Sequence, residues 1–221
     1  MLGVTSSLAF RADGWLDGLA RGLPVRRRAT VRTMPLDGVP AGLVLHWTGG
    51  YGSCATLARM YERGPVGDPS FHLGVDRDGS LTQLVPITLG ANHCRGRWRD
   101  GRLVNQATLS LEAINVGRVG RDASGAWRQV ENPHEPAEKH TLNPGFVVPP
   151  QDVVEAHGGA WHRYTDAQVE VIQALLDALA LVLPPLELIG HCDLDPKRKA
   201  DPGPLMMRDL VGSGRLLAIR P

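Results

Sequence analysis

Gly190-His191-Cys192-Asp193-Leu194-Asp195-Pro196-Lys197-Arg198-Lys199-Ala200-Asp201-Pro202-Gly203-Pro204 is the stretch around which the rest of the chain is organised. The apolar run Leu186-Glu187-Leu188-Ile189 in front of it reads as a short buried strand. His191 at the strand end, followed by a proline-stiffened loop, is a plausible way to hold a metal ligand. Asp201 follows, braced by Pro202-Gly203-Pro204, with Lys199 two residues before it. Imidazole and carboxylate both ligate zinc, and a nearby cation stabilises a developing oxyanion. The same composition also suits a solvated surface loop. Two ligands do not close a site, so a partner has to come from elsewhere.

Ala41 to Gly50 offers one. Leu43-Val44-Leu45 is a continuous apolar run that reads as a fully buried strand, closed by His46 and followed by the Gly49-Gly50 turn. His46 supplies the third ligand that His191 and Asp201 lack. Thr108 to Val116 alternates as a strand with Glu112 inside it. A carboxylate there is either on a solvated face or buried, where a raised pKa would suit a general base. Zinc held by two histidines and one carboxylate keeps a fourth position for water and lowers that water's pKa towards about 7.

The totals narrow the class. With 221 residues, 43% hydrophobic and 21% charged, the chain fits one sizeable globular core. A formal net charge of +1 gives no global field for nucleic acid. No apolar run approaches the roughly 18 residues of a membrane helix. The N-terminus lacks a basic leader region, so synthesis in the cytoplasm without a Sec signal is expected. Cys54, Cys94 and Cys192 are too few and odd in number for a disulfide framework and read as buried thiols.

The remaining segments are expected as follows. Ser7 to Leu23 forms a short amphipathic helix, and Arg26-Arg27-Arg28 is a solvated basic cluster. Ser53 caps a helix to Arg63 with Leu57, Met60 and Tyr61 inward. Asp78-Gly79 turns a hairpin between two strands. His93 and Arg95 lie in a loop suited to a polar, carboxylate-bearing ligand. Residues 117–152 are a long excursion over the cleft or surface. Within it His134-Glu135-Pro136 is not the helical zinc motif, because prolines preclude the helix. Thr165-Asp166-Ala167-Gln168 is a capping box that starts a helix running to about Leu183. Its apolar face is Val169, Ile172, Leu175, Leu176, Leu179 and Val182. A last short helix follows Pro204, then the apolar tail Leu216 to Ile219.

Together these segments resemble the type 2 N-acetylmuramoyl-L-alanine amidases, a group including AmpD-like amidases, phage lysozyme-amidases and peptidoglycan recognition proteins. The resemblance rests on Leu45-His46-Trp47-Thr48, Ser70-Phe71-His72, Asp76-Arg77-Asp78-Gly79, Gln83-Leu84-Val85-Pro86, Leu111-Glu112 with Asn115, Tyr164 to Gln168, and the closing His191 to Gly203 motif. It covers roughly residues 40–205. It implies an α/β fold with a mixed central β-sheet flanked by helices, and one Zn2+ per chain. It places His46, His191 and Asp201 on the zinc-ligand positions, Glu112 on the catalytic glutamate and Lys199 on the catalytic lysine. Phe71 stands where some relatives carry a tyrosine, which puts more weight on Glu112. Trp47, His72, His93 and Arg95 are expected to line the substrate cleft.

The resemblance implies peptidoglycan or muropeptides as substrate; residues 1–40, which it does not cover, are expected to be an N-terminal extension and 41–221 a single catalytic domain, acting as a monomer, with neither nucleic acid nor membrane expected as partner from the charge and hydropathy above. The expected role is that of a phage or prophage endolysin, an antimicrobial lytic enzyme reaching the cell wall or periplasm after release. The alternatives are a cytoplasmic anhydromuropeptide-recycling amidase, a non-catalytic peptidoglycan-binding module on the same fold, and a zinc amidohydrolase acting on another amide.

Overall fold

The computed structural model describes residues 6–50, 52–62, 68–130 and 142–212. In chain order the first elements are β1 (Ser7–Phe10), β2 (Leu16–Ala20), β3 (Leu23–Pro24), β4 (Arg26–Arg27), β5 (Thr33–Pro35), β6 (Gly42–Trp47) and α1 (Cys54–Glu62). Then come β7 (Leu73–Val75), β8 (Leu81–Gln83), β9 (Leu89–Ala91), α2 (Val104–Ala107), β10 (Thr108–Ala113), β11 (Arg118–Arg121) and β12 (Trp127–Val130). The chain closes with β13 (Leu142–Val148), β14 (Val153–Ala156), β15 (Gly159–His162), α3 (Asp166–Ala180), β16 (Glu187–Gly190), α4 (His191–Leu194) and α5 (Gly203–Gly212).

The central sheet is mixed and six-stranded, in the order β16-β6-β10-β7-β8-β4. β16, β6, β10 and β7 run parallel, and β8 returns antiparallel to β7 around the Asp78-Gly79 turn. Strand alternation divides the residues between two faces. Leu43 and Leu45 of β6, Leu109 and Leu111 of β10, and Leu73 and Val75 of β7 are fully buried in one cluster with Val171, Ile172 and Leu175 of α3. The intervening residues Val44, His46, Ser110 and Glu112 therefore face the other way. There Val44 packs with Cys94, Trp98, Val104, Ala107 and Ile189.

α3 begins at the capping box: Thr165 Oγ1 accepts from the Gln168 amide at 3.1 Å, and the Gln168 side chain accepts from Thr165 N–H at 3.1 Å. The helix stops at Ala180, and Val182 is 48% exposed rather than part of the inner face. Ser53 caps α1 through a 3.1 Å bond from Thr56 N–H to its Oγ. Met60 points to solvent at 62% exposure; Cys54 and Ala58 take the inner positions, with Leu57 and Tyr61 partly buried beside them.

One expectation is corrected. Ser7 to Leu23 is not a helix but the strands β1 to β3, which form a small antiparallel sheet of their own. Gly18 has φ +112° and its Cα lies so close to the Ser7 carbonyl that a Cβ would stand 1.8 Å from that oxygen. This strand crossing excludes any other residue. Within 117–152, the described residues form β11, β12 and β13, which join β14 and β15 in a five-stranded sheet ordered β13-β12-β11-β15-β14. His134, His140 and the Leu216 to Ile219 tail lie outside the described residues. Residues 6–40 are woven into the molecule. β4 pairs with β8 at the sheet edge, β5 pairs with β9, and Leu16 and Ala20 are fully buried in the main core.

Candidate metal centre

Three parallel strands deliver the candidate site. His46 is the fifth residue of β6, Glu112 the fifth of β10, and His191 follows β16 directly. Glu112 stands opposite His46 in the parallel register. All three are at carboxyl ends of strands, where open α/β sheets leave a crevice. The loop after β16 then folds back. The Cys192 amide donates to the Asp201 carbonyl at 2.8 Å, and Tyr164 Oη donates to the Pro202 carbonyl at 2.9 Å. Gly203, at φ +72°, lets the backbone pass the Trp47 ring so closely that a Cβ would meet it at 2.7 Å.

The result is a tight donor set. Asp201 Oδ2 is 3.0 Å from His46 Nδ1 and 3.0 Å from His191 Nδ1. All three residues are buried. Burial alone would raise the Asp201 pKa; the contacts to His191 and His46 outweigh it and hold the carboxylate well below the usual range. Burial lowers the His46 pKa, opposed by Asp201.

A chain of polar contacts backs His46. Its Nε2 lies 3.1 Å from His93 Nδ1, and His93 Nε2 lies 3.3 Å from Thr108 Oγ1. Burial, with His46 adding to it, lowers the His93 pKa well below its ordinary value. The other nitrogen, His46 Nδ1, faces the Asp201 carboxylate at 3.0 Å, where a bound cation would replace the proton the two share. His191 Nε2 is in addition buried without a hydrogen-bond partner among the described residues. Two imidazoles and a carboxylate fit a divalent metal ion of the zinc class.

Glu112 is half-buried on β10. Burial raises its pKa to about 8, Asp201 adding to the effect and the Lys199 ammonium opposing it. The Lys199 backbone is held by its N–H, which donates to the Asp195 carbonyl at 2.8 Å. A cavity of about 440 Å³ opens beside His191, with Asn92, His93, Cys94, Arg95 and Lys199 also in its wall.

The other expected cleft residues divide. His93 borders the cavity and also supports His46; Arg95 is exposed on its rim. Trp47 packs on Trp161 with centroids 6.1 Å apart. His72 is fully buried, with Nδ1 3.1 Å from Ser110 Oγ and Nε2 2.8 Å from the Leu89 carbonyl. Burial lowers its pKa to about 4. With both nitrogens occupied inside the protein, it braces β10 against the β9 loop and does not reach the cavity. One neighbour of the donors was missed in the sequence. Cys94 lies with His46 and His191 in a group whose donor atoms are all within 4.8 Å of one another. No local spacing announces it, because the thiol meets His191 only through the fold.

The N-acetylmuramoyl-L-alanine amidase family profile matches residues 36–204. Over 53 residues the chain is 40% identical to 1,6-anhydro-N-acetylmuramyl-L-alanine amidase AmpD of Citrobacter freundii and 42% identical to that of Escherichia coli (strain K12). That match covers 23% of this chain in both cases, and 28% and 29% of the relatives, so it spans under a third of their length. Among solved structures, a selenomethionine derivative of AmpD superposes with a TM-score of 0.58 at 23% identity, covering 90% of this chain and 96% of that one. AmiD from E. coli, in complex with anhydro-N-acetylmuramic acid-L-Ala-D-gamma-Glu-L-Lys, gives a TM-score of 0.51 at 21% identity, covering 94% and 65%. Profile, fold and converging donors together show that the chain belongs to the N-acetylmuramoyl-L-alanine amidase family.

Proposed function

We propose that the chain is a zinc-dependent hydrolase of the amide bond between the lactyl group of N-acetylmuramic acid and the L-alanine of a stem peptide. The observation that carries the reading is Asp201 Oδ2 at 3.0 Å from Nδ1 of both His46 and His191. His46, His191 and Asp201 would hold one zinc ion, which supplies Lewis acidity towards the scissile carbonyl. Glu112 takes the proton of the attacking water and returns it to the leaving amine, with no covalent intermediate. Lys199 compensates the charge that develops on the carbonyl oxygen. The Arg95 guanidinium on the cavity rim suits the carboxylates of a stem peptide.

The biological setting proposed is lytic, of the endolysin type, with action at the cell wall after release; it rests on the N-terminal segment, most of which precedes the matched family region. A second reading, recycling of soluble anhydromuropeptides, is favoured by the identity to the 1,6-anhydro amidases. Mass spectrometry of the products from purified sacculi and from soluble anhydromuropeptides tests both. Free stem peptides, lost on chelation and restored by zinc, are expected; the better substrate separates the two settings. Absence of release from either substrate by the zinc-loaded protein would leave a binding module or another amide substrate.

A further inference from the structure

We propose that Asn105 is a positioning residue of this centre, setting the loop that carries His93 behind the metal ligand His46. The proposal rests on the metal-centre reading above and adds a residue to it. Asn105 is the second residue of α2. Its Oδ1 accepts from two successive amides, His93 N–H at 3.0 Å and Cys94 N–H at 2.8 Å. Two amides converging on one atom fix which end of the carboxamide is oxygen, since an N–H cannot donate to an NH2 group. The Nδ2 end donates to Asn92 Oδ1 at 2.8 Å, and Asn92 Nδ2 donates to the Asp68 carbonyl at 3.2 Å. Backbone groups thus define the asparagine pair at both ends. The Asn92 N–H donates to Ser70 Oγ at 2.9 Å, and Ser70 Oγ donates to the Arg32 carbonyl at 2.7 Å. Arg32 lies ahead of the family-matched residues, so the clamp is anchored in the N-terminal segment.

A second observation gives the clamp a fixed base. Gly90 of β9 lies three residues before His93, and a Cβ there would stand 2.4 Å from the Asn105 carbonyl oxygen. That close approach holds α2 against the strand that leads into the His93 loop. The consequence is orientation. With two successive amides fixed, the loop keeps His93 Nδ1 at 3.1 Å from His46 Nε2 and His93 Nε2 at 3.3 Å from Thr108 Oγ1. Partners of this kind hold a ligating imidazole in the orientation the metal needs. Asn105 grips the loop backbone, so its effect on the metal passes through His93. A leucine in its place is of similar size and leaves both amides without their acceptor.

Zinc affinity of the full chain, read by chelator competition, tests this as a double-mutant cycle. Asn105→Leu is expected to weaken zinc binding about tenfold, the low end of the roughly 10- to 100-fold range for groups that support a ligand. In a His93→Ala background the same substitution should change the affinity little, because the side chain through which it acts is gone. Asn105→Gln carries the same amide one methylene further out. It should show a smaller loss with the same dependence on His93, and it decides the matter if Asn105→Leu does not fold. Native affinity in the folded Asn105 variants, or a loss of equal size with and without His93, would leave Asn105 a structural role alone and overturn the proposal, with the metal centre still standing. No zinc bound by the native chain overturns both.

Discussion

Glu112 stands directly opposite His46 in the parallel β6–β10 ladder, on the face turned away from α3. Identical facing of the two residues places the proposed base beside the proposed metal without sharing the ligand role. Glu112→Gln, nearly isosteric but unable to accept a proton, is expected to abolish stem-peptide release while zinc stays stoichiometric by atomic absorption. Full activity in that variant would remove Glu112 from the mechanism.

Asp201 holds both histidines through one oxygen, so each ligand depends on the others. His191→Ala is expected to lose the metal after dialysis, with activity falling to background. A stoichiometric zinc content in this variant would sink the ligand assignment.

His93 acts on the metal through His46. His93→Ala removes the hydrogen-bond partner of His46 Nε2 and leaves that ring less firmly oriented. Loss of such a partner typically weakens metal affinity about 10- to 100-fold. His93→Asn, whose Oδ1 is an acceptor in a similar place, should recover part of it. Chelator-competition titrations read the effect, and equal affinity in all three proteins would contradict the role.

The raised Glu112 pKa has a definite sign in stability. In the metal-free protein this group titrates near about 8 when folded against an ordinary 4.5. Between those values the unfolded chain binds fewer protons, so this group's contribution to stability is lost as pH rises through the window. The stability difference between the native chain and Glu112→Gln, measured by urea unfolding in chelator, should therefore change across it. In the zinc-loaded enzyme the added positive charge lowers this pKa. kcat/KM should then rise with pH through an inflection below about 8.

Thr165 both caps α3 and donates to the Arg77 carbonyl at 2.6 Å, tying the helix to the β7–β8 turn. Thr165→Ala is expected to cost about 1 kcal/mol, within the range of roughly 0.5–2 kcal/mol seen for lost caps. Activity per folded molecule should be unchanged. A loss of activity without a shift in the unfolding midpoint would assign Thr165 a role at the site.

The sequence by itself determined the elements whose signals are local. The apolar run into His46, the Asp78-Gly79 turn and the capping box at Thr165 each follow from neighbouring residues, and each is found where that reading puts it. It misread one region. The N-terminal segment has helix-like apolar spacing, but Gly18 and a close strand crossing make it a sheet. Between 117 and 152 the strands had no local signal, and Val119, Trp127 and Val148 share a small core that only pairing reveals. Only the tertiary structure decided the second shell of the site. His93 reaches His46 across 47 positions, and Asp201 reaches it across 155. It also withdrew His72 into the interior and brought Cys94 to the donors. These outcomes depend on parallel register and loop closure between segments distant in the chain, and no local propensity encodes either.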